Sequence, residues 1–585
     1  MSDRFYDKYR GLASQFKPGD TLTMFKYRSQ LARVSKSIKL SNCGRFTAIR
    51  SIGLKSTSKS SNWKIATGAI ISSLGFLVLT SNPINLDVDT KKKGILVEEV
   101  QKHSSLATGI WVVINGQVYD LTNFITLHPG GAKIILKYAG KNASLIFNKF
   151  HAKDVFEKFL DEDAHLGPLI GEMEEAEDIT AGEEDLDRFA RIENKPSISK
   201  VFNISDFEYI AKEILTGNAW AYYSSAADDE ISLRENHYAY QRIFFNPKVL
   251  VKNSEVDIST EMLGVKTEAP FYCSAAAQAR LGHPDGELSI ARGCGKEGII
   301  QMISSTASYS LDEIIDAGIG PQWFQLYVNP DRTITNKTID KVTKRGLKGL
   351  FVTVDTPEIG NREKDRRFRL FDDADDDDDT NSDTNDIDPD FVKQNDPILS
   401  FKDPGISWED IKEFKRLTNM PVVIKGVQRV EDVLLAVENN IDGVVLSNHG
   451  GRQLDFSRSP IEVLADVMPV LKEKKLDDKI EIYVDGGIRR GTDVLKALCL
   501  GAKGVGLGRP FLYANSCYGE KGVRKAIEIL KDEIKLGMKL LGVKNISELD
   551  PSLLDLRNLH SRPYYSDNAY NRGYDPLPNP QFKDE

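Results

Sequence analysis

From about Lys200 onward, short β-branched runs recur between helical patterns, and this alternation constrains the fold more than any other feature of the chain. The runs are Phe271 to Ser274, Ile299 to Ile303, Trp323 to Tyr327, Leu350 to Val354, Pro421 to Lys425, Gly443 to Leu446, Glu481 to Asp485 and Gly504 to Gly508. Parallel strands need a crossover long enough to hold a helix, so eight such runs predict an α/β fold closed into a (β/α)8 TIM barrel. At 585 residues the chain also exceeds what one hydrophobic core supports, and a second folded unit is expected. After the fourth run, Asp372-Asp373-Ala374 and the run Asp375 to Asp379 lack hydrophobic periodicity and read as a disordered surface loop.

Ahead of the barrel, residues 94–171 alternate strand-like pieces (Trp111 to Ile114, Gln117 to Asp120) with helical patterns, as expected of a small α+β domain. Residues 172–199 open with Glu174, Glu175, Glu177, Glu183, Glu184 and Asp185, a composition that predicts a solvated acidic hinge. The barrel domain is placed at 200–560. The tail 561–585, rich in Tyr, Asn and Pro, is expected to wrap a neighbouring subunit.

Residues 1–86 read as a mitochondrial presequence. From Met24 to Leu86 there is no Asp or Glu while Arg, Lys and Ser recur, which is transit-peptide composition. Asp3, Asp7 and Asp20 break the pattern before Met24, an alternative start. The apolar run Ile65 to Leu79 is shorter than the roughly 20 residues of a membrane span, so a cleaved sorting signal is expected, with a single-span anchor as the alternative. The net charge of -9 and the lack of a basic, aromatic-interleaved stripe argue against nucleic acid and favour a cationic partner. Cys43, Cys273, Cys294, Cys499 and Cys517 form no CxxC or CxxCH pattern, so neither structural disulfides nor covalently attached haem is expected.

In the small domain, His128-Pro129-Gly130-Gly131 is followed 23 residues on by His151, after the apolar pattern Ile134-Ile135-Leu136. Two neutral imidazoles on opposite sides of a pocket suit a six-coordinate haem iron with no open position for oxygen, hence electron transfer. Such a pair by itself is more often two unrelated surface histidines. With Trp111-Val-Val-Ile-Asn-Gly-Gln-Val-Tyr-Asp-Leu-Thr-Asn-Phe124 in front of it, most of residues 94–170 resembles the cytochrome-b5-like haem-binding family. That resemblance implies haem b held by His128 and His151.

In a barrel of this kind chemistry is expected at the C-terminal strand ends, where Gln325, Tyr327, Thr353, Asp355 and Lys425 stand. Ser447-Asn-His449-Gly-Gly-Arg452 follows the sixth run, and Asp485-Gly486-Gly487-Ile488-Arg489 and Gly508-Arg509 follow the last two. Taken singly, Lys425 is a surface lysine, Asp355 a helix cap and Gly486-Gly487 a tight turn. Their convergence on one face favours a site. Glycines with Arg489 and Arg509 suit a phosphate, and without GxGxxG after an early strand a mononucleotide is expected before a nicotinamide dinucleotide.

Ser447-Asn-His-Gly-Gly-Arg-Gln-Leu-Asp455, Val484 to Arg489 and Gly506-Leu-Gly-Arg-Pro510 resemble the FMN-dependent 2-hydroxyacid dehydrogenase family from about Ser205 to Leu554. Ala219-Trp-Ala-Tyr222-Tyr-Ser-Ser and Arg234-Glu-Asn-His237 strengthen the match. The resemblance implies that His449 is the base and Asp355 its orienting partner, with Arg452, Tyr222 and Arg362 on the substrate carboxylate and Tyr327 on its hydroxyl. Lys425 would place positive charge beside the flavin. Ser274, Ala275, Ala276, Ala277, Ser304, Gln325 and Thr353 would cradle its ring, while Asp485, Gly486, Gly487, Ile488, Arg489, Gly508 and Arg509 complete the FMN site. Removal of the α-carbon proton and hydride transfer with loss of the hydroxyl proton use the same residues.

Together the two resemblances imply oxidation of L-lactate to pyruvate, transfer through FMN and haem b to cytochrome c, a homotetramer, and the mitochondrial intermembrane space, with no permanent membrane span in the mature form. Thr306, in Met302-Ile-Ser304-Ser305-Thr306-Ala307, departs from the apolar residue the lactate-type pattern carries there, and Ala277 leaves room for a larger side chain. Another 2-hydroxy acid (glycolate, 2-hydroxybutyrate, mandelate) is therefore the competing substrate. An oxidase releasing hydrogen peroxide, and from another class a catalytically silent haem electron carrier, are the remaining alternatives.

Overall fold

The computed structural model describes residues 94–125, 128, 132–151, 155–156, 160, 162–176, 183–371 and 402–561. The presequence 1–86, the acidic insertion 372–379 and the tail from 562 onward lie outside the described residues. No helix among the described residues is long and apolar enough to cross a membrane.

The small domain is built on a five-stranded sheet of order β1-β5-β4-β3-β2, made of β1 (Ile95–Leu96), β2 (Ser104–Ser105), β3 (Gly109–Ile114), β4 (Gln117–Asp120) and β5 (His165–Ile170). The turn between β3 and β4 is Asn115-Gly116, with φ of 51° and 74°. Two successive positive φ values match the right-handed strand twist of a two-residue hairpin, and Asn-Gly tolerates them best. Alternation along β3 sends Ile110, Val112 and Ile114 to one face, with Leu121, Ile135 and Tyr138, and Val113 to the other, with Val100 and Val118. His128 packs edge-on to Phe124, and His151 caps the helix Ser144–Phe150.

The acidic segment is not wholly irregular. Residues Glu183–Asn194 form a helix, and Arg191 donates to the Glu213 carbonyl at 2.7 Å.

All eight expected runs form strands, within one or two residues of their sequence limits: β6 (Phe271–Cys273), β7 (Gln301–Ser304), β8 (Gln322–Leu326), β9 (Leu350–Thr353), β10 (Val422–Val427), β11 (Gly443–Leu446), β12 (Glu481–Asp485) and β13 (Gly504–Leu507). Every neighbouring pair is parallel, and β13 pairs with β6 to close the barrel.

Period-two alternation then sorts each strand. Phe271, Ile303, Phe324, Val352, Ile424, Leu446, Val484 and Leu507 face the helical layer. Tyr272, Met302, Trp323, Phe351, Val423, Val445 and Tyr483 face inward and plug the interior, with Trp323 tilted against Phe351 at 4.6 Å and edge-on to Tyr272 at 5.0 Å between ring centroids. Two residues beyond each plug residue, on the same inward face, stand Ser274, Ser304, Gln325, Thr353, Lys425, Ser447 and Asp485. The barrel is therefore dry below and polar at its C-terminal mouth.

Outside, the run Arg509–Leu541 is bent where Tyr518 and Gly519 leave helical geometry, and it packs on the helices Ile204–Ile214 and Gly286–Lys296. Asn203 and Asp206 close a capping box at the start of Ile204–Ile214, fixing where that helix begins. Cys273, Cys294, Cys499 and Cys517 are buried and free.

Candidate active site and haem pocket

The mouth is organised around His449. Its loop is a short 3-10 turn, His449–Gly451, with φ of 58° at His449 itself. That conformation is uncommon for a residue with a Cβ. It is held by the His449 amide donating to Ser447 Oγ at 3.0 Å and by the Gly451 amide donating to Asn448 Oδ1 at 3.1 Å. Asn448 is in turn locked to Asn236 by two reciprocal amide bonds of 2.7 Å. Gly451 has no room for a side chain, since a Cβ would stand 2.6 Å from the Leu233 nitrogen.

Against this loop His449 Nδ1 meets Asp355 Oδ1 at 2.9 Å, and His449 Nε2 faces the Tyr327 hydroxyl at 3.5 Å. Burial pulls the imidazole down to about 4, with the charge on Lys425 and Arg362 adding to that and Asp355 opposing it. The ring is therefore a neutral base at ordinary pH, with Nδ1–H directed at the carboxylate and Nε2 free to take a proton. Burial works to raise the Asp355 carboxyl, but His449 and Lys425 outweigh it and the group stays ionised. Asp355 Oδ2 has no hydrogen-bond partner and lies 3.9 Å from Lys425 Nζ.

Lys425 donates to Ser447 Oγ at 3.1 Å and lies 3.5 Å from Asp485 Oδ2. Burial opposes its charge, yet Asp485 and Asp355 hold it protonated. Arg362 is buried and pulled down to about 10, first by burial and then by Arg452 beside it. Two neighbouring guanidinium groups at low exposure make a place for an anion. Arg452 Nη1 donates to the carbonyls of Tyr222 and Ser225 at 2.7 and 2.9 Å, and its guanidinium lies 5.1 Å from the Tyr222 ring centroid.

The residues expected to hold a flavin line one wall. Gln325 Nε2 donates to Thr353 Oγ1 at 3.0 Å and Gln325 Oε1 accepts from Ser304 Oγ at 3.3 Å. Ser274 Oγ is buried without a hydrogen-bond partner, an orphan that a bound polar ring would satisfy. Ala275, Ala276 and Ala277 are half-buried just after β6, and their small side chains suit close approach of a flat ring. Gly486 and Gly487 have φ of 97° and 82°, and a Cβ on Gly487 would fall 1.9 Å from the Asn236 carbonyl oxygen. Ile488 is buried behind them, while a Cβ on Gly508 would meet nothing. The donor set and open backbone fit FMN.

Arg489 and Arg509 were expected to serve a phosphate by charge alone. The Arg509 guanidinium also clasps the carbonyls of Tyr223, Gly450 and Ser225 at 2.9, 2.9 and 2.8 Å, tying the His449 loop to the helix Gly217–Ser224. Arg489 lies 3.4 Å from Glu208.

Three further residues were assigned no role from the sequence. Gln453 donates to the Asp355 and Glu358 carbonyls at 2.9 and 2.7 Å. Buried Lys402 places its ammonium 3.7 Å from the Tyr327 ring centroid, and Arg280 reaches the small domain.

In that domain His128 Nε2 and His151 Nε2 face each other at 3.5 Å. Metal–imidazole bonds of about 2.0–2.1 Å, the zinc value, would need only a slight opening to seat an iron between them. His151 Nδ1 meets the Phe147 carbonyl at 3.1 Å, which leaves Nε2 as the ligating nitrogen. The pair fits a haem with two imidazole ligands.

The sequence profile of the FMN-dependent dehydrogenase family matches residues 211–556, and that of the cytochrome b5-like heme/steroid binding domain matches residues 97–170. The chain belongs to the FMN-dependent dehydrogenase family and carries a cytochrome b5-like domain in front of the barrel. It is 55% identical over 517 residues to an L-lactate dehydrogenase (cytochrome) of Wickerhamomyces anomalus, covering 88% of this chain and 89% of the relative. It is 48% identical over 553 residues to the protein of the same name from Saccharomyces cerevisiae, covering 90% and 92%. Among solved structures it is similar to a doubly substituted flavocytochrome b2 with pyruvate bound, at 52% identity and a TM-score of 0.61, covering 69% of this chain and 99% of that one. FMN and haem are its cofactors.

Proposed function

We propose that this chain oxidises L-lactate to pyruvate and passes the electrons to cytochrome c. The observation that carries the reading is the neutral His449 held by Asp355 with its Nε2 toward Tyr327, beside the buried Arg362 and the half-buried Arg452. Arg452 and Arg362 bind the substrate carboxylate, with the Tyr222 hydroxyl beside them. Tyr327 holds the substrate hydroxyl, and Nε2 of His449 takes up a substrate proton. Asp355 keeps the imidazole oriented and stabilises its charge once protonated. Lys425, kept charged by Asp485 and Asp355, stabilises negative charge that builds at the neighbouring cofactor. When bound, FMN accepts two electrons from the substrate and haem b carries them singly.

Ser274, Ser304, Gln325 and Thr353 would hold the isoalloxazine ring, Ala275 to Ala277 would border it, and Asp485 to Arg489 with Gly508 and Arg509 would hold the rest of the cofactor with its phosphate. His128 and His151 would ligate the haem iron. The charge of -9 favours docking of a basic cytochrome. The acid-free stretch Met24 to Leu86 supports import into the mitochondrial intermembrane space, and likeness to the family supports a homotetramer.

The test is a visible spectrum of the purified protein before and after anaerobic L-lactate, then cytochrome c. Flavin bleaching, a rise of reduced b-type haem bands and reduction of cytochrome c are expected. Cofactors that stay oxidised with lactate but are reduced by dithionite would overturn the substrate and direct attention to Thr306.

A further inference from the structure

Arg280 belongs to the barrel but donates both ends of its guanidinium to the small domain. Nη1 donates to the His151 carbonyl at 2.7 Å and Nη2 to the Asn148 carbonyl at 2.6 Å. Both carbonyls lie at the C-terminal end of the helix Ser144–Phe150, where the last C=O groups lack partners within the helix and a cation is favoured by the helix dipole.

On its own side the arginine is rigidly mounted. Its guanidinium lies 4.6 Å from the Tyr309 ring centroid. Its backbone amide donates to Ser308 Oγ at 3.1 Å, and Ser308 Oγ donates to Glu287 Oε2 at 2.7 Å. Glu287 Oε1, fully inside the barrel wall, also accepts from the amides of Ala279 and Ser308 at 3.0 and 2.9 Å. The residue two positions earlier, Gln278, has φ of 60° and its carbonyl accepts from the Tyr223 hydroxyl at 2.7 Å.

The stretch from Ala275 to Arg280 thus joins the flavin-facing loop after β6 directly to the backbone of a haem-ligating histidine. Electron transfer falls steeply with separation, and a site left loose by its supporting contacts loses function even when all its parts are present. We propose that Arg280 is the positioning residue that docks the haem helix on the flavin loop and sets the flavin-to-haem approach. The inference rests on the electron route given above. In each transfer one electron leaves the reduced flavin and converts ferric haem to ferrous.

The experiment compares Arg280→Ala and Arg280→Lys with the parent, each as full-length holoenzyme of matched flavin and haem content. Anaerobic stopped flow with L-lactate follows flavin and haem separately. Amide hydrogen exchange of the oxidised, resting protein follows residues 144–151, with the barrel helix Gly286–Lys296 as internal control. For Arg280→Ala we expect haem reduction to slow at least tenfold, flavin reduction to stay within twofold, and exchange at 144–151 to quicken at least tenfold with the control unchanged. Arg280→Lys, which keeps the charge but not the two-pronged geometry, should recover part of both losses. Unchanged haem reduction, unchanged exchange at 144–151, or flavin reduction falling in parallel with haem would each overturn the proposal. If lactate fails to bleach the flavin of the parent, the function proposed above fails, while the exchange comparison still decides whether Arg280 docks the helix.

Discussion

The barrel mouth and the haem pocket reach their chemistry in different ways. In the barrel, seven strands deliver an inward polar residue one step above a shared apolar plug, and several of these bond to one another, Ser304 to Gln325, Gln325 to Thr353 and Lys425 to Ser447, with the His449–Asp355 pair on the loops just above. The site is braced by the closed sheet before any ligand arrives. The haem pocket has two imidazoles facing across 3.5 Å, each on a loop or helix end, over a core of few side chains. A site framed by a closed sheet is preorganised by the fold, whereas one framed by two loop ends is completed by what binds there and by what clasps it from outside.

Four outcomes would break or sharpen this contrast. His449→Gln should lower lactate-driven flavin reduction by about 10⁴-fold, since it removes the base from a frame that otherwise stays intact. The flavin and haem absorption spectra of the variant should match the parent; altered spectra would mean that the mouth is not braced as described.

Asp355→Asn should cost about 10²-fold through loss of imidazole orientation and charge stabilisation. Its pH profile carries the sign. Burial holds His449 near 4, so kcat/KM of the parent should be level well below the ordinary histidine range and fall only as pH drops toward that value and the base becomes protonated. Because Asp355 raises the imidazole's affinity for protons, the asparagine variant should place its acid limb lower still. An acid limb near the ordinary imidazole value in both would refute the buried-base picture.

Removing haem should destabilise the small domain far more than removing FMN destabilises the barrel. A ligand at a hundredfold its dissociation constant adds about 2.7 kcal/mol. For a domain of about 80 residues this is on the order of 10–20 °C in melting temperature. Scanning calorimetry of haem-free and FMN-free protein would show it, and equal shifts in the two transitions would remove the distinction.

The smallest effect is expected of Tyr327→Phe, which deletes one hydroxyl and leaves the ring under Lys402. A single hydrogen bond of about 1 kcal/mol corresponds to roughly fivefold in kcat/KM for lactate. A loss above a hundredfold would assign the tyrosine a larger part than holding the substrate.

Much of this was legible in the chain because it is written locally. Strand periodicity gives the eight barrel strands and, with period two, the inward faces on which Thr353, Lys425 and Asp485 stand. The Ser447 to Asp455 stretch and the spacing of His128 and His151 likewise need only neighbouring residues to be read. The acidic segment told less, because charge argues for solvation but does not report that Glu183–Asn194 is helical.

What only the tertiary structure decided is which distant residues meet. Arg509 turns its guanidinium to three backbone carbonyls because the loop at Gly450 and the end of the Gly217–Ser224 helix happen to close around it. Lys402 lies over Tyr327, and Arg280 reaches a haem-ligating residue 129 positions earlier in the chain. Periodicity reports which face a residue occupies relative to its own backbone. It contains no information on what another element presents to that face, and contacts of this kind are settled only when the strands close and the helices pack.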